Sequence, residues 1–269
     1  LAPKMDLIAD RCTDKVDVYH VSLGNIKGTR MYGVLTMPKK EGKYPSILKV
    51  PGAGVHAMSG NVAWAAKGAI VLEIGIHGIP VILESGLYSD LSNGVLSNYV
   101  LHGIENRDTY FFRRVYLGCV KAVDFLLSLP KSNGKVGVIG GSQGGMLSLA
   151  TSYLDKRISA TGVYFPAFCD QEAYMHGRTG GWPHFFKNKE NCKKEYLETA
   201  RYYDGANFAR KLTAPVYYAY GYNDITCGPT TSSATYNAIT APKQAVIGAN
   251  EGHWLFPEHI NGMWEWMIK

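Results

Sequence analysis

The chain alternates between short apolar runs and longer amphipathic ones along most of its length. Val16 to Leu23 and Arg30 to Met37 alternate polar and apolar positions, the period of a half-buried strand, and Gly24 to Gly28 separates them. This predicts an antiparallel hairpin. Tyr44 to Val50 is apolar almost throughout, as in a strand buried on both faces, and Pro51-Gly52-Ala53-Gly54 ends it. A short helix near Val62 to Lys67 leads to a strand, Ala69 to Ile74. Asp108 stands as the cap of a helix running to about Leu129. In it Phe112, Val115, Cys119, Val123 and Leu126 recur at three and four residues, so one face is buried. Strands follow at Lys135 to Ile139, Ala160 to Phe165, Ala214 to Gly221 and Gln244 to Ile247. Helical runs lie between or after them, at Met146 to Leu154, Pro229 to Ile239 and Phe256 to Ile268. Strands spaced by helices imply right-handed crossovers. The expected fold is α/β: a mostly parallel sheet with an N-terminal antiparallel hairpin and helices on both faces.

Two stretches lack a clear period. Gly75 to Asn106 is long and rich in Gly, Ser, Leu and Tyr, and long excursions in compact domains are often functional. Phe168 to Asn191 is aromatic and glycine-rich and lies between core elements. Residues 166–200 therefore read as a lid or pocket-wall insertion in one domain, 1–269. Phe168 and Trp182 could pack against a sugar face or an acyl group, or form a small satellite core under the loop. Arg113 and Arg114 read as structural ion-pair partners rather than substrate contacts.

Composition narrows the function. The chain is 46% hydrophobic and 19% charged, which is ordinary for a globular domain. The net charge of +6 is modest and its basic residues are scattered, which disfavours nucleic acid as a partner. The five cysteines, Cys12, Cys119, Cys169, Cys192 and Cys227, are far apart and show no metal-ligand spacing. Cys119 falls on the apolar helix stripe and reads as a buried thiol. No apolar run reaches the ~18 residues of a membrane span, so no membrane partner is expected. The opening Leu1-Ala-Pro, without a charged-then-apolar leader, is what a trimmed or mature chain would show.

The candidate chemistry centres on Val136-Gly-Val-Ile-Gly-Gly-Ser-Gln-Gly-Gly145. A strand, a glycine-flanked serine and a helix make the nucleophile elbow of an α/β-hydrolase. Gly140 and Gly144 lack a Cβ, so neighbouring backbone can pass close to the strained serine. In this fold the triad appears in the order Ser, Asp or Glu, His. Ser142, Asp224 and His253 follow it, the last two in loops at the ends of strands, where open α/β sheets build their sites. A serine hydroxyl needs a base to take its proton as it attacks, and an imidazole can return that proton to a leaving alcohol. The carboxylate fixes the imidazole tautomer and stabilises the imidazolium. Rivals remain open: His77, His56 and His259 for the base, Asp204 and Asp170 for the acid, with Asp204 also reading as a helix cap. The oxyanion donors expected are the backbone N–H groups of Gln143 and Ala53.

With these residues in place, the chain resembles the acetyl xylan esterase and cephalosporin C deacetylase family from about Tyr19 to His253. The resemblance is carried by Arg107-Asp-Thr-Tyr-Phe-Phe-Arg-Arg-Val115, Gly140-Gly-Ser-Gln-Gly-Gly145, Tyr203-Asp-Gly-Ala-Asn-Phe-Ala209 and Asp224-Ile-Thr-Cys-Gly-Pro-Thr230. It implies a serine esterase that removes small acyl groups, chiefly acetyl, from the hydroxyls of xylan, xylo-oligosaccharides or similar alcohols. It also implies no metal, no organic cofactor and a homo-oligomer, often a hexamer. The chain departs from the family pattern at Gly75-Ile-His-Gly78, where an Arg-Gly-Gln is usual, at Trp254 after His253, and at Ala53 in place of a tyrosine. Residues 1–15, before the hairpin, are not expected to form the family's helical segment. His77, in the first of these departures, joins Phe168 and Trp182 as a candidate for the substrate pocket. A role in polymer degradation would suit secretion or a periplasm. The alternatives are a general short-chain esterase or serine peptidase of the same fold, and a catalytically dead carbohydrate-binding relative.

Overall fold

The computed structural model describes residues 2–269; Leu1, where the expected domain begins, lies outside them. The strands are β1 (Lys4–Leu7), β2 (Val16–Gly24), β3 (Arg30–Pro38), β4 (Tyr44–Lys49), β5 (Ile70–Gly75), β6 (Ser132–Gly141), β7 (Ile158–Tyr164), β8 (Val216–Gly221) and β9 (Lys243–Gly248). The helices are α1 (Val62–Ala66), α2 (Ser85–Asn93), α3 (Phe111–Ser128), α4 (Gln143–Leu154), α5 (Lys194–Tyr203), α6 (Gly205–Ala209), α7 (Pro229–Ala238) and α8 (Pro257–Ile268). The strands form one nine-stranded sheet in the order β1-β2-β3-β5-β4-β6-β7-β8-β9. Pairing is antiparallel from β1 through β3 to β5 and parallel from β5 to β9. The sheet is mostly parallel, as the sequence pattern predicts, and the hairpin of β2 and β3 forms its antiparallel flank.

Alternation along β6 shows how the two faces are used. A Cβ at Gly137 would meet Met267 of α8, whereas one at Gly140 would meet Gly144 at the head of α4. On the first face Trp64 of α1 stacks on Trp264 of α8 with ring centroids 5.2 Å apart. On the other, α3 packs against α4, α4 against α6, and α6 against α7. The stripe Phe112, Val115, Cys119, Val123, Leu126 is buried, as its spacing predicts. β5, apolar apart from Glu73, is buried along its whole length.

Some elements differ from expectation. The helix expected from Asp108 begins at Phe111, with Tyr110 at its cap position and no side-chain cap. Asp108 is exposed, and its own N–H donates to Asn106 Oδ1 at 2.8 Å, so a local turn occupies the place of the cap. Within Gly75 to Asn106, α2 forms despite weak periodicity, and only Tyr88 of it is buried. β1 is an edge strand whose residues are all exposed, so it carries no inward-facing pattern to read. The stretch after β7 folds into short 3-10 turns at Gln171–His176, Phe185–Lys187 and Lys189–Asn191, followed by α5.

The elbow glycines are sterically required. A Cβ at Gly144 would lie 2.6 Å from the Val50 carbonyl oxygen and 3.1 Å from that of Pro51, so backbone would have to move. Gly144→Ala is expected to cost about 1–3 kcal/mol, in the range of other overpacking changes. Denaturant unfolding of the two proteins measures this, and equal midpoints would show that the loop yields freely.

Candidate active site

Ser142 sits between β6 and α4 at φ 55° and ψ −125°, a backbone conformation that disfavours any side chain. Its N–H donates to the Tyr164 carbonyl at 3.0 Å, and its own carbonyl accepts from Gly145 and Ala167, both at 2.9 Å. These bonds hold the turn while the glycines on either side let backbone crowd in. The Ser142 hydroxyl lies 3.1 Å from His253 Nε2. His253 Nδ1 lies 2.8 Å from Asp224 Oδ2. Asp224 is 2% exposed, and its Oδ1 accepts the N–H groups of Thr226 and Cys227, each at 2.8 Å. The remaining oxygen is thus left to the imidazole, and the pair fixes the ring with Nδ1 as donor and Nε2 as acceptor toward serine.

Each partner is delivered by a strand end. Asp224 follows β8 and His253 follows β9, while Ser142 follows β6. Glu251 joins the two loops, a role its position alone does not announce. It is 1% exposed; its carbonyl accepts the Asn223 N–H at 2.9 Å, and its carboxylate accepts the Phe256 N–H at 2.8 Å. Phe165, at φ 33°, lays its ring 4.5 Å from the His253 ring. Cys227 is buried near Ser142. Burial, and then the Asp224 charge, push its thiol up, against a lowering hydrogen bond with Ser142, so it is no rival nucleophile.

The other histidines and aspartates fall outside this constellation. His56 has its Nδ1 3.1 Å from the Ala57 carbonyl, and His259 Nδ1 lies 2.8 Å from Glu251. Asp204 caps α6 through the Ala206 N–H and also accepts the N–H groups of Asp170 and Gln171. Burial raises its carboxyl to about 6. Asp170 pairs with Arg178 at 2.7 Å. Arg113 lies 3.9 Å from Asp108, and Arg114 donates to the His77 carbonyl at 3.1 Å; both have structural partners.

Of the two expected oxyanion donors, Gln143 opens α4 and its N–H has no intrahelical acceptor available. Ala53 lies in the loop after β4, which the Gln143 side chain grips by donating to the Gly52 carbonyl at 3.0 Å. The substrate-pocket expectations need correction. Phe168 is 2% exposed and packs edge-on to Phe112 and Trp182 at 4.9 and 5.3 Å, so its ring belongs to the interior. Trp182 is partly buried against the same core. His77 points its Nε2 at the Gly54 carbonyl, 2.9 Å away, so that ring nitrogen is engaged with the loop after β4. Among the described residues, no group of three or more His, Cys, Asp or Glu side chains could hold a metal ion, and no helix is long and apolar enough to cross a membrane.

Comparison with known proteins gives consistent matches. A family model described as acetyl xylan esterase (AXE1) matches residues 2–269. The acetyl esterase Axe7A of Xylanibacter ruminicola is 40% identical over 263 residues, 96% of this chain. The chain spans 60% of the length of that relative. Among solved structures, an acetyl xylan esterase from Paenibacillus sp. R4 is 27% identical with a TM-score of 0.82, over 99% of this chain and 88% of that one. Acetyl xylan esterase 1 from Thermoanaerobacterium sp. JW/SL YS485, 21% identical with a TM-score of 0.83 over 100% of this chain and 88% of that one, shares the fold.

The geometry predicts a reactive serine whose activation depends on Asp224. A fluorophosphonate should label the protein at one site, and Ser142→Ala should abolish labelling without altering the circular dichroism spectrum. Asp224→Asn should slow labelling by about 10³–10⁴-fold, because it loses the imidazole tautomer while keeping the shape. Intact mass against time reads both. Undiminished labelling of Ser142→Ala would assign the reactivity elsewhere.

Proposed function

The chain belongs to the acetyl xylan esterase family, and on that premise we propose that it is a serine esterase removing acetyl groups from acetylated xylan or xylo-oligosaccharides. The observation that carries this reading is the continuous hydrogen-bonded line Ser142–His253–Asp224 at the strained elbow. Ser142 Oγ attacks the acetyl carbonyl carbon as its proton passes to His253 Nε2. Asp224 holds the ring and stabilises the imidazolium that forms. The carbonyl oxygen becomes an oxyanion, to which the backbone N–H groups of Gln143 and Ala53 donate. The tetrahedral intermediate collapses, the bond to the sugar oxygen breaks, and that oxygen takes the proton from His253. Water then gives a proton to His253 and adds to the acetyl-enzyme. The second collapse releases acetate and returns the proton to Ser142.

Residues 166–200 serve in this reading as a wall beside the site. His184 Nε2 lies 2.9 Å from the Thr226 carbonyl, so the insertion is anchored to the loop that carries Asp224. The ring of Phe165 beside His253 shields the base from water on one side.

A chain-length series of p-nitrophenyl esters, from acetate to octanoate, tests the reading together with acetate release from acetylated xylan. The expected result is fastest turnover on acetate, release from the polymer, and loss of both in Ser142→Ala. Acetate-selective turnover without polymer release would restrict the substrate to oligosaccharides or another acetylated small molecule. Best activity on long chains would overturn the acetyl assignment, and no turnover of any ester would overturn the esterase reading.

A further inference from the structure

The loop that carries Ala53 has few restraints of its own. Residues 51–54 lie beyond the end of β4 and are in no strand or helix. Among the described residues, every hydrogen bond to their backbone comes from one of three side chains: Gln143, Tyr99 and His77. Gln143 donates from its amide to the carbonyls of Gly52 at 3.0 Å and Pro51 at 3.4 Å. Tyr99 accepts the Gly54 N–H at 3.0 Å. The same Tyr99 hydroxyl donates to Gln143 Oε1 at 2.8 Å. His77 Nε2 reaches the Gly54 carbonyl at 2.9 Å.

The donors and acceptors in this set leave no freedom of assignment. Gln143 uses its NH₂ on carbonyls and its oxygen on a hydroxyl, so its amide orientation is fixed. The Tyr99 hydroxyl gives its one proton to Gln143 and takes one from Gly54. Burial raises the Tyr99 phenol above its ordinary value, so it keeps the proton that the bridge needs. His77 is pushed down to about 4 by burial, against the raising effect of the Gly54 carbonyl, and stays neutral with Nε2–H as donor. Tyr99 is itself held in place. Its ring meets His77 edge-on at 4.5 Å and Phe111 at 5.1 Å.

The consequence concerns the two oxyanion amides. Gln143 carries one on its backbone, and Ala53 carries the other. Tyr99 occupies the Gly54 N–H, so among the described residues the free N–H groups of this turn are those of Gly52 and Ala53, and the Ala53 N–H is the one assigned to the oxyanion. The separation of the two amides is thus set by a bridge that runs from Gly54 through the Tyr99 hydroxyl to the side chain of Gln143. We propose that Tyr99 is the positioning residue of the oxyanion hole, holding the loop of Ala53 at a fixed distance from the head of α4, with His77 as a second tie. This rests on the esterase reading above. Tyr99 does not touch the reacting atoms, so it acts through Ala53 and Gln143.

Tyr99→Phe tests it, because it removes one oxygen and keeps the ring against His77 and Phe111. With p-nitrophenyl acetate, kcat should fall about tenfold to hundredfold while KM stays within about twofold, as for donors displaced by a fraction of an ångström. Inhibition by methylboronic acid, which adds to a serine as a tetrahedral anion, should weaken by the same factor as kcat/KM. The pH profile of kcat should keep its shape, since Ser142, His253 and Asp224 are untouched. Gln143→Met removes the other end of the bridge. Adding Tyr99→Phe to it should cost little more, so the double variant should not show the product of the two losses. Unchanged kcat in Tyr99→Phe, multiplicative losses in the double variant, or a loss of activity that tracks lowered thermal stability rather than boronate affinity would each overturn the proposal. The wild type run alongside separates the two readings. A wild type that binds boronate without hydrolysing acetate overturns the acetyl esterase reading and leaves the boronate comparison as the test of Tyr99. One that does neither overturns both.

Discussion

The site depends on one strained residue. Ser142 is held at positive φ, where a non-glycine residue costs about 1–3 kcal/mol, and that strain is what turns its hydroxyl out of the sheet toward His253. The surrounding backbone over-determines the turn. Tyr164 and Ala167 bond it from the β7 side, Gly145 from within α4, and the carbonyls of Val50 and Pro51 leave no room for a Cβ at Gly144. Relaxation of Ser142 to a common conformation would need all these contacts to move together. The parallel strands on either side, β4 and β7, therefore act as a vice, and their burial is part of what holds the proposed nucleophile in place.

Around that fixed point the remaining groups arrive on loops with separate restraints. Asp224 is tied by the N–H groups of Thr226 and Cys227, and Glu251 couples its loop to the one that carries His253. The proposed oxyanion loop has, among the described residues, no such backbone pairing and is held by side chains alone. A rigid nucleophile and a rigid base thus face a loop whose placement is set by a few hydrogen bonds. Small changes in that loop would, on the proposed mechanism, alter oxyanion stabilisation without disturbing the hydrogen-bonded line of Ser142, His253 and Asp224.

What could be read from sequence follows the same division. The mostly parallel sheet with its antiparallel hairpin and the elbow were legible because their signals are local: period-two alternation, buried apolar runs, and glycines flanking a serine between a strand and a helix. Asp224 and His253 were legible from chain order and from their places after β8 and β9. Tyr99 was not, because its partners Gly54 and Gln143 lie more than forty residues away in either direction and nothing beside it in the chain marks the bridge. Phe168 misled for the opposite reason. Its aromatic, glycine-rich surroundings resemble a pocket wall, yet its left-handed backbone, at φ 52°, belongs to a ring turned inward onto Phe112. Asp108 looked like a cap by residue type, but the helix starts three residues later and leaves it in solvent.

The two buried aspartates show why residue type and burial do not assign a role. Asp204 and Asp224 are 6% and 2% exposed, and each follows a conformationally fixed segment. Asp204 spends both oxygens on backbone N–H groups of Asp170, Gln171 and Ala206, joining the insertion to α6. Nothing is left over for a side-chain base, and its carboxylate serves architecture. Asp224 places both of its N–H partners on one oxygen and keeps the other for His253. An unpaired buried carboxylate oxygen is costly, so it recruits the one donor within reach, the imidazole, and thereby orients it. The role proposed for Asp224 rests on this asymmetry: a buried acid becomes an orienting group when the backbone satisfies only half of it.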